Sequence, residues 1–88
     1  MQTIHKQELA ISDIQTLELP RFARIVHIGL QRGVPCVWYM CDPNEPKMKM
    51  TIRCYGTGHP IGERGLSYLG TVIIPGDLLV LHYFIQNI

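Results

Sequence analysis

Apolar and polar side chains alternate with a period of two along most of the chain, and no window shows the spacing of an amphipathic helix. β-Branched and aromatic residues dominate these windows, and Pro or Gly interrupts them at short intervals. The pattern predicts seven short strands, at residues 3–9, 14–19, 23–31, 34–41, 47–55, 68–74 and 78–85. Short antiparallel strands of this number indicate an all-β fold, either a compact sandwich or a small barrel.

Glycine and proline mark the predicted turns. Pro20 ends the second strand, and Gly33 supplies the positive φ of a tight hairpin turn at residues 31–33. Residues 75–77, Pro-Gly-Asp, turn the chain before the last strand. The longest irregular stretch is residues 56–65, which contains four glycines.

Two predicted strands carry more apolar residues than a half-solvated strand needs. Residues 34–41 are apolar on both faces, which predicts a central strand or an interface. In the third strand, Val26, Ile28 and Leu30 are expected to share one face. Residues 78–85, LLVLHYFI, are almost uniformly apolar, more than one copy of the chain would bury at a sheet edge. We therefore expect a homo-oligomer, such as a dimer or tetramer.

The chain length of 88 residues predicts one β domain spanning residues 1–88. If the apolar residues were divided between two domains, neither core would be large enough to be stable. Three cysteines are an odd number, and the first residues lack the apolar run of a secretory signal. No run of apolar residues is nearly long enough for a membrane-spanning helix. We expect a cytoplasmic protein with no membrane partner.

The net charge is +1, and the Lys and Arg residues are scattered rather than clustered. A polymeric nucleic acid is therefore an unexpected partner, because generic affinity for DNA or RNA depends on many phosphate contacts. One or two arginines are enough to hold a small anion, so this kind of ligand stays compatible with the sequence.

The segment from Tyr55 to Pro60 is the most distinctive, because it places an aromatic ring, a hydroxyl and an imidazole among close glycines. Glycine N–H groups in such a loop can cradle an anion. The alternative is a wide turn between hairpins, and the residues alone favour the turn. The segment lacks the Gly-Lys-Ser/Thr ending of a P-loop and follows no βα unit.

Arg53 lies on the same strand face as Tyr55, and that face leads directly into the glycine loop. A guanidinium beside a phenol ring suits a phosphate next to a base or ribose, although a solvated strand face has the same composition. Trp38 either stacks on a planar ligand or fills the core, and core filling is favoured. The candidate ligand-binding residues are Arg53, Tyr55, Gly56, Thr57, Gly58, His59 and Trp38.

No complete catalytic or metal-binding motif is present in the sequence. Cys36, Cys41 and Cys54 offer no paired spacing with the histidines, so neither a metal nor a cofactor is expected. The three cysteines lie at strand positions, where a buried thiol is the default, although spacing alone leaves a partnership with His59 open. Four carboxylates fall at turns and predict no general acid and base pair, namely Asp13, Asp42, Glu45 and Asp77.

The run Arg53-Cys54-Tyr55-Gly56-Thr57-Gly58-His59-Pro60-Ile61, with Val34-Pro35-Cys36-Val37-Trp38, resembles a family of small proteins of unknown function encoded by tailed bacteriophages and prophages. The resemblance covers nearly the whole chain, but the tail after His82 is longer and more apolar than that family's pattern. Small phage proteins of this kind are similar to sponges that sequester the cyclic nucleotide signals of antiphage defence, such as CBASS. The resemblance implies binding without chemistry.

Three hypotheses follow from the sequence. The first is a sponge for a cyclic di- or oligonucleotide, with the pocket at Arg53, Tyr55, Thr57 and His59. The second is an interaction module that inhibits a host protein through the apolar strand at residues 78–85, taken as a sheet edge. The third is a small phosphodiesterase acting on the same signals, with His59 as acid or base.

Overall fold

The computed structural model describes residues 1–76 and 79–87, and within these ranges every regular element is a β-strand. The strands are β1 (Thr3–Glu8), β2 (Ile14–Pro20), β3 (Arg24–Gln31), β4 (Val34–Cys41), β5 (Lys47–Gly56), β6 (Leu66–Ile74) and β7 (Leu79–Gln86). The predicted all-β fold is confirmed, with strand ends shifted by two residues or fewer. Asp77 of the predicted turn and Leu78 of the predicted last strand lie outside the described residues. In the described part of the chain, no helix could cross a membrane.

The strands form two antiparallel sheets, and the alternative of a sandwich rather than a barrel is confirmed. The first sheet has three strands in the order β1-β4-β3, and the second has four in the order β2-β5-β7-β6. The inward side chains of both sheets meet in one core, so the outward side chains cover two opposite surfaces. Buried core members are Leu9, Leu17, Leu19, Val37, Tyr39, Cys41, Ile52, Cys54, Val72, Leu81 and Tyr83.

Both strands that are apolar on two faces are central. β4 lies between β1 and β3, as its composition predicted. β7 lies between β5 and β6, pairing with both along its length. The expected edge position of the last strand is therefore wrong, because the fold buries its apolar face within the chain itself. The homo-oligomer loses the support that was drawn from this strand.

A β-bulge in β3 changes the predicted face assignment. The register with β4 shifts between Ile25 and His27, so that Val26 is the extra residue and is 48% exposed. Ile25 instead joins Ile28 and Leu30 in packing against the core. The prediction that Val26 shares a face with Ile28 and Leu30 is wrong, because one inserted residue reverses the alternation beyond it.

The turn between β3 and β4 contains two residues with positive φ, one more than the sequence predicted. Arg32 and Gly33 both have positive φ values, of 53° and 77°. Two consecutive positive φ values define the type I′ turn, whose twist matches that of the strands it joins. The prediction for Gly33 is confirmed, and Arg32 is an additional residue in the left-handed region.

Tyr83 is fully buried in the core, and its hydroxyl reaches the segment between β1 and β2, one of the connections between the two sheets. The hydroxyl donates to the Ala10 carbonyl at 3.0 Å. The Gln15 side chain bonds both the N–H and the carbonyl of Ala10, each at 2.8 Å. A buried phenol that lacked a partner would cost about 1–3 kcal/mol, so this set of bonds fixes the connection against the core.

Strands β3 and β6 approach each other so closely that Gly70 has no room for a side chain. A Cβ on Gly70 would overlap the Cγ2 of Ile28. Gly70 also follows a bulge in β6, where the register with β7 shifts after Tyr68. The absence of a Cβ therefore lets the two sheets close along this side of the sandwich.

We predict that Gly70→Ala lowers the free energy of unfolding by about 1–3 kcal/mol, because the new methyl group forces Ile28 out of its position. Urea unfolding monitored by far-UV circular dichroism measures the change. Gly62→Ala is the control, because nothing lies within 4 Å of a Cβ built there. Equal stability of the two variants would contradict the close approach of β3 and β6.

Burial also predicts how stability depends on pH. It raises the pKa of the Cys54 thiol and of the Tyr83 phenol above their ordinary values of 9.0 and 10.0. The neighbouring Cys54 adds to the shift of Tyr83, whereas the hydrogen bond with Tyr83 acts against the shift of Cys54. The unfolded chain then loses these protons first. Their contribution to stability is complete below about pH 8.5 and is lost as the pH rises through the folded-state values.

We therefore expect the urea midpoint to fall from pH 8 to pH 10.5, and Tyr83→Phe to remove part of the fall. A midpoint that stays constant would contradict the burial of both groups.

Because all three cysteines are buried and free, a thiol reagent should modify them only as fast as the protein opens.

Candidate functional site

The register of the four-stranded sheet brings side chains from β5, β7 and β6 together on its outer surface. Arg53 pairs with Phe84, and Phe84 in turn pairs with Tyr68. In the neighbouring row, Tyr55 pairs with His82, which pairs with Thr71. Because inward residues such as Cys54 and Tyr83 alternate with these, both rows point away from the core.

A cavity of about 330 Å³, hereafter the polar cavity, opens where β5 meets the glycine loop. Three predicted site residues, Arg53, Tyr55 and His59, line it. The remaining lining residues are Asp13, Cys54, Pro60 and Glu63. The structure therefore brings together the strand face and the loop that the sequence singled out.

Residues 56–59 form a tight turn, whereas the interpretation favoured from the sequence was a wide turn. The His59 N–H donates to the Gly56 carbonyl at 3.1 Å, and Gly58 has a φ of 85°. This is the positive φ that a type II turn requires at its third residue. Because the His59 amide is already bonded within the turn, it is not free to donate to an anion. The His59 ring folds back over Gly56, where a Cβ would lie 2.9 Å from its Cε1.

Arg53 is half-buried and held by its neighbour on β7. Its Nε donates to the Gln86 Oε1 at 3.0 Å. Among residues 1–76 and 79–87, no carboxylate lies within salt-bridge distance of the guanidinium. The guanidinium is anchored through Nε and shares its cavity with Asp13 and Glu63 without forming a salt bridge to them. A guanidinium whose terminal nitrogens are not paired with a carboxylate can recognise a small anion.

The hydroxyl of Tyr55 donates to the Glu63 carboxylate across the polar cavity. Partial desolvation, followed by the hydrogen bond and the negative charge of Glu63, raises the pKa of Tyr55 above its ordinary value, while Arg53 acts in the opposite direction. The bond joins the loop to β5 and fixes the phenol ring. Tyr55 therefore presents its ring face and edge, with its hydroxyl already engaged.

Two carboxylates, Asp13 and Glu63, give the polar cavity a mixed character. Both repel a phosphate placed deep in the cavity, and both accept hydrogen bonds from amino or hydroxyl groups. Arg53 offers the opposite charge on the strand side. The geometry therefore suits a ligand with an anionic group near Arg53 and hydrogen-bond donors directed at the loop side.

A hydrogen-bonded series on the outer surface, hereafter the His82 network, connects the glycine loop to β6. Thr57 Oγ1 lies 2.7 Å from His82 Nε2, and Thr71 Oγ1 lies 2.8 Å from His82 Nδ1. The Tyr68 hydroxyl lies 2.5 Å from Thr71 Oγ1. Thr57 was predicted as a pocket residue, but in the structure its hydroxyl is used in this network.

The sequence did not single out His82, Tyr68 or Phe84 as site residues. His82 and Phe84 lie in the almost uniformly apolar run at residues 78–85, and Tyr68 reaches the site only through strand pairing. The signal was present in the alternation of β7, where His82, Phe84 and Gln86 lie opposite Leu81, Tyr83 and Ile85. Asp13 and Glu63 gave no comparable signal. They come from a turn and a loop that approach β5 only in the folded chain.

Trp38 does not join this site within one chain. It lies on the outward surface of the other sheet, where its ring is 5.4 Å from that of His27. The adjacent residues Val37 and Tyr39 face the core instead. The favoured prediction, that Trp38 fills the core, is therefore wrong. Trp38 does not line the polar cavity, and its stacking on a ligand stays a prediction.

The geometry gives no support to thiol chemistry with His59. The Cys54 side chain packs in the core, and burial raises its pKa, so the reactive thiolate is disfavoured. Within the described residues, no three His, Cys, Asp or Glu side chains come together as a metal site. What the site offers is a guanidinium, fixed aromatic rings and hydrogen-bonding groups.

Fold and site together define a small all-β sandwich domain with a polar cavity beside an aromatic outer surface. Residues 1–87 match the family described as "Domain of unknown function (DUF7352)", and the chain belongs to this family. No curated protein and no solved structure matches the chain significantly.

We predict that Glu63→Gln lowers the pKa of Tyr55, because it removes the carboxylate charge that helps to raise it. NMR titration of the protein with ¹³C-labelled tyrosine measures the change. Glu45→Gln is the matched control, since Glu45 lies in the turn before β5 and not in the polar cavity. An unchanged Tyr55 titration in Glu63→Gln would show that the contact is not formed in solution.

Proposed function

We propose that this protein is a phage-type sponge that binds a cyclic di- or oligonucleotide signal and holds it without cleaving it. The observation that carries the proposal is the position of Arg53 between the polar cavity and partly exposed aromatic rings, with its guanidinium anchored through Nε and, among the described residues, in no salt bridge. A nucleotide has the matching parts, namely an anionic phosphate, a planar base and donor groups on the base and ribose.

Binding alone agrees with the chemistry of the site. A cyclic nucleotide sponge has to recognise its ligand and keep it, so the required residues are donors, acceptors and stacking surfaces. The resemblance to small phage proteins supplies the setting, in which removal of a defence signal from a bacterial cytoplasm protects the phage. Phosphodiesterase activity with His59 as acid or base is the alternative within this setting.

The hypothesis of a host-protein inhibitor acting through an apolar edge strand is not retained. Its motive was the strand at the end of the chain, and β7 is an interior strand of the four-stranded sheet. A homo-oligomer, which would place several sites in one particle, stays part of the proposal. Native mass spectrometry measures the number of copies directly.

Isothermal titration calorimetry with a panel of cyclic di- and trinucleotides tests the proposal. We expect at least one member to bind, and Arg53→Gln to weaken that binding by about tenfold or more through loss of the charged hydrogen bonds. Arg24→Gln is the matched control, because Arg24 is an exposed arginine on the other sheet.

Chromatography of the ligand after long incubation distinguishes the two alternatives. Intact ligand supports a sponge, whereas hydrolysis that depends on His59 establishes the phosphodiesterase. If no cyclic nucleotide in the panel produces heat with the wild-type protein, the proposed function is wrong.

A further inference from the structure

Three aromatic rings form a continuous row on the outer surface of the four-stranded sheet, hereafter the aromatic row. Tyr55 on β5, Phe84 on β7 and Tyr68 on β6 each contribute one ring. The ring centroids of Tyr55 and Phe84 are 5.7 Å apart with planes inclined by 75°, and those of Tyr68 and Phe84 are 5.4 Å apart with planes inclined by 58°. Each ring therefore offers a face of its own to a planar ligand. Tyr68 at the end of the row is 61% exposed.

The core does not account for this row. None of the three rings belongs to the buried cluster between the sheets or to the residues packed against it. Outward positions of a sheet that faces water usually carry polar side chains. Aromatic side chains on an open sheet surface are the means by which several nucleic-acid-binding folds stack bases.

The polar groups around the row identify the occupant as a base rather than an apolar protein surface. Arg53 and Gln86 border Phe84 on one side, and the His82 network borders the row on the other. An apolar partner would bury these donors and acceptors without hydrogen bonds, which is unfavourable. A nucleotide stacks its base on the rings and leaves its phosphate beside the positive charge of Arg53.

The rings are also held in place before any ligand arrives. The Tyr68 hydroxyl is bonded into the His82 network, and the Tyr55 hydroxyl is bonded to Glu63. Side chains that are already fixed lose little conformational entropy on binding. This arrangement favours a rigid, planar ligand.

We infer that Phe84 and Tyr68, together with Tyr55, form a base-stacking subsite that extends the polar cavity across the sheet. The inference rests on the proposed function, and it adds two stacking residues that the sequence did not single out. Arg53 then lies between two parts of the ligand, namely the base on the aromatic row and the donor groups that enter the polar cavity.

NMR titration of the full chain with cyclic di-AMP, cyclic di-GMP, AMP and GMP tests the subsite. We expect upfield shifts of the base protons and changes at the Phe84 and Tyr68 ring signals. Phe84→Leu and Tyr68→Leu should weaken binding by about tenfold, as loss of one stacked base contact implies. Tyr68→Phe should bind nearly as well, because it keeps the ring. Phe22→Leu, an exposed aromatic outside the row, is the control.

The outcomes separate this inference from the proposed function. If a cyclic dinucleotide binds equally well to wild type, Phe84→Leu and Tyr68→Leu, the subsite is wrong and the sponge proposal stands. If only the mononucleotides bind and shift the rings, the subsite is supported and the proposed ligand is wrong. If no probe moves the Phe84 or Tyr68 signals, the subsite is overturned.

Discussion

The burial of Tyr83 is the interaction on which the arrangement of the two sheets depends. Its ring fills the centre of the core, and its hydroxyl must find an acceptor there, which it does at Ala10. Ala10 belongs to the connection between β1 and β2, which carries the chain from one sheet to the other. Because β7 is also an interior strand of the larger sheet, the same residue fixes the outward neighbours His82 and Phe84. Core and site therefore share one strand.

Most of the fold could be predicted from local alternation, because strand positions depend on which side chains must face inward. The order of the strands could not, since pairing joins residues that are distant in sequence. The apolar last strand illustrates this limit, because composition cannot distinguish an interior strand from an edge strand buried by a second copy. The bulge at Val26 is another case, since one extra residue in β3 leaves no mark in the composition.

The candidate site likewise contains residues that could be predicted from the sequence and residues that could not. Arg53, Tyr55 and His59 are neighbours along the chain, so their common position at the polar cavity follows from one strand and one turn. Tyr68 and Glu63 reach the site through pairing and loop packing, which the sequence does not display. Trp38 was expected in the core because large aromatic side chains are usually buried, but β4 is apolar on both faces, so the sequence does not show which face meets the core.

The strict division between inward and outward residues has an evolutionary consequence. On β5 and β7, the outward residues Arg53, Tyr55, His82 and Phe84 alternate with residues that pack in the core. Natural selection can therefore exchange the outward residues while the inward ones keep the sandwich intact. Divergence among related chains would then change what is recognised while the architecture stays constant, so shared ancestry within this family need not mean a shared ligand.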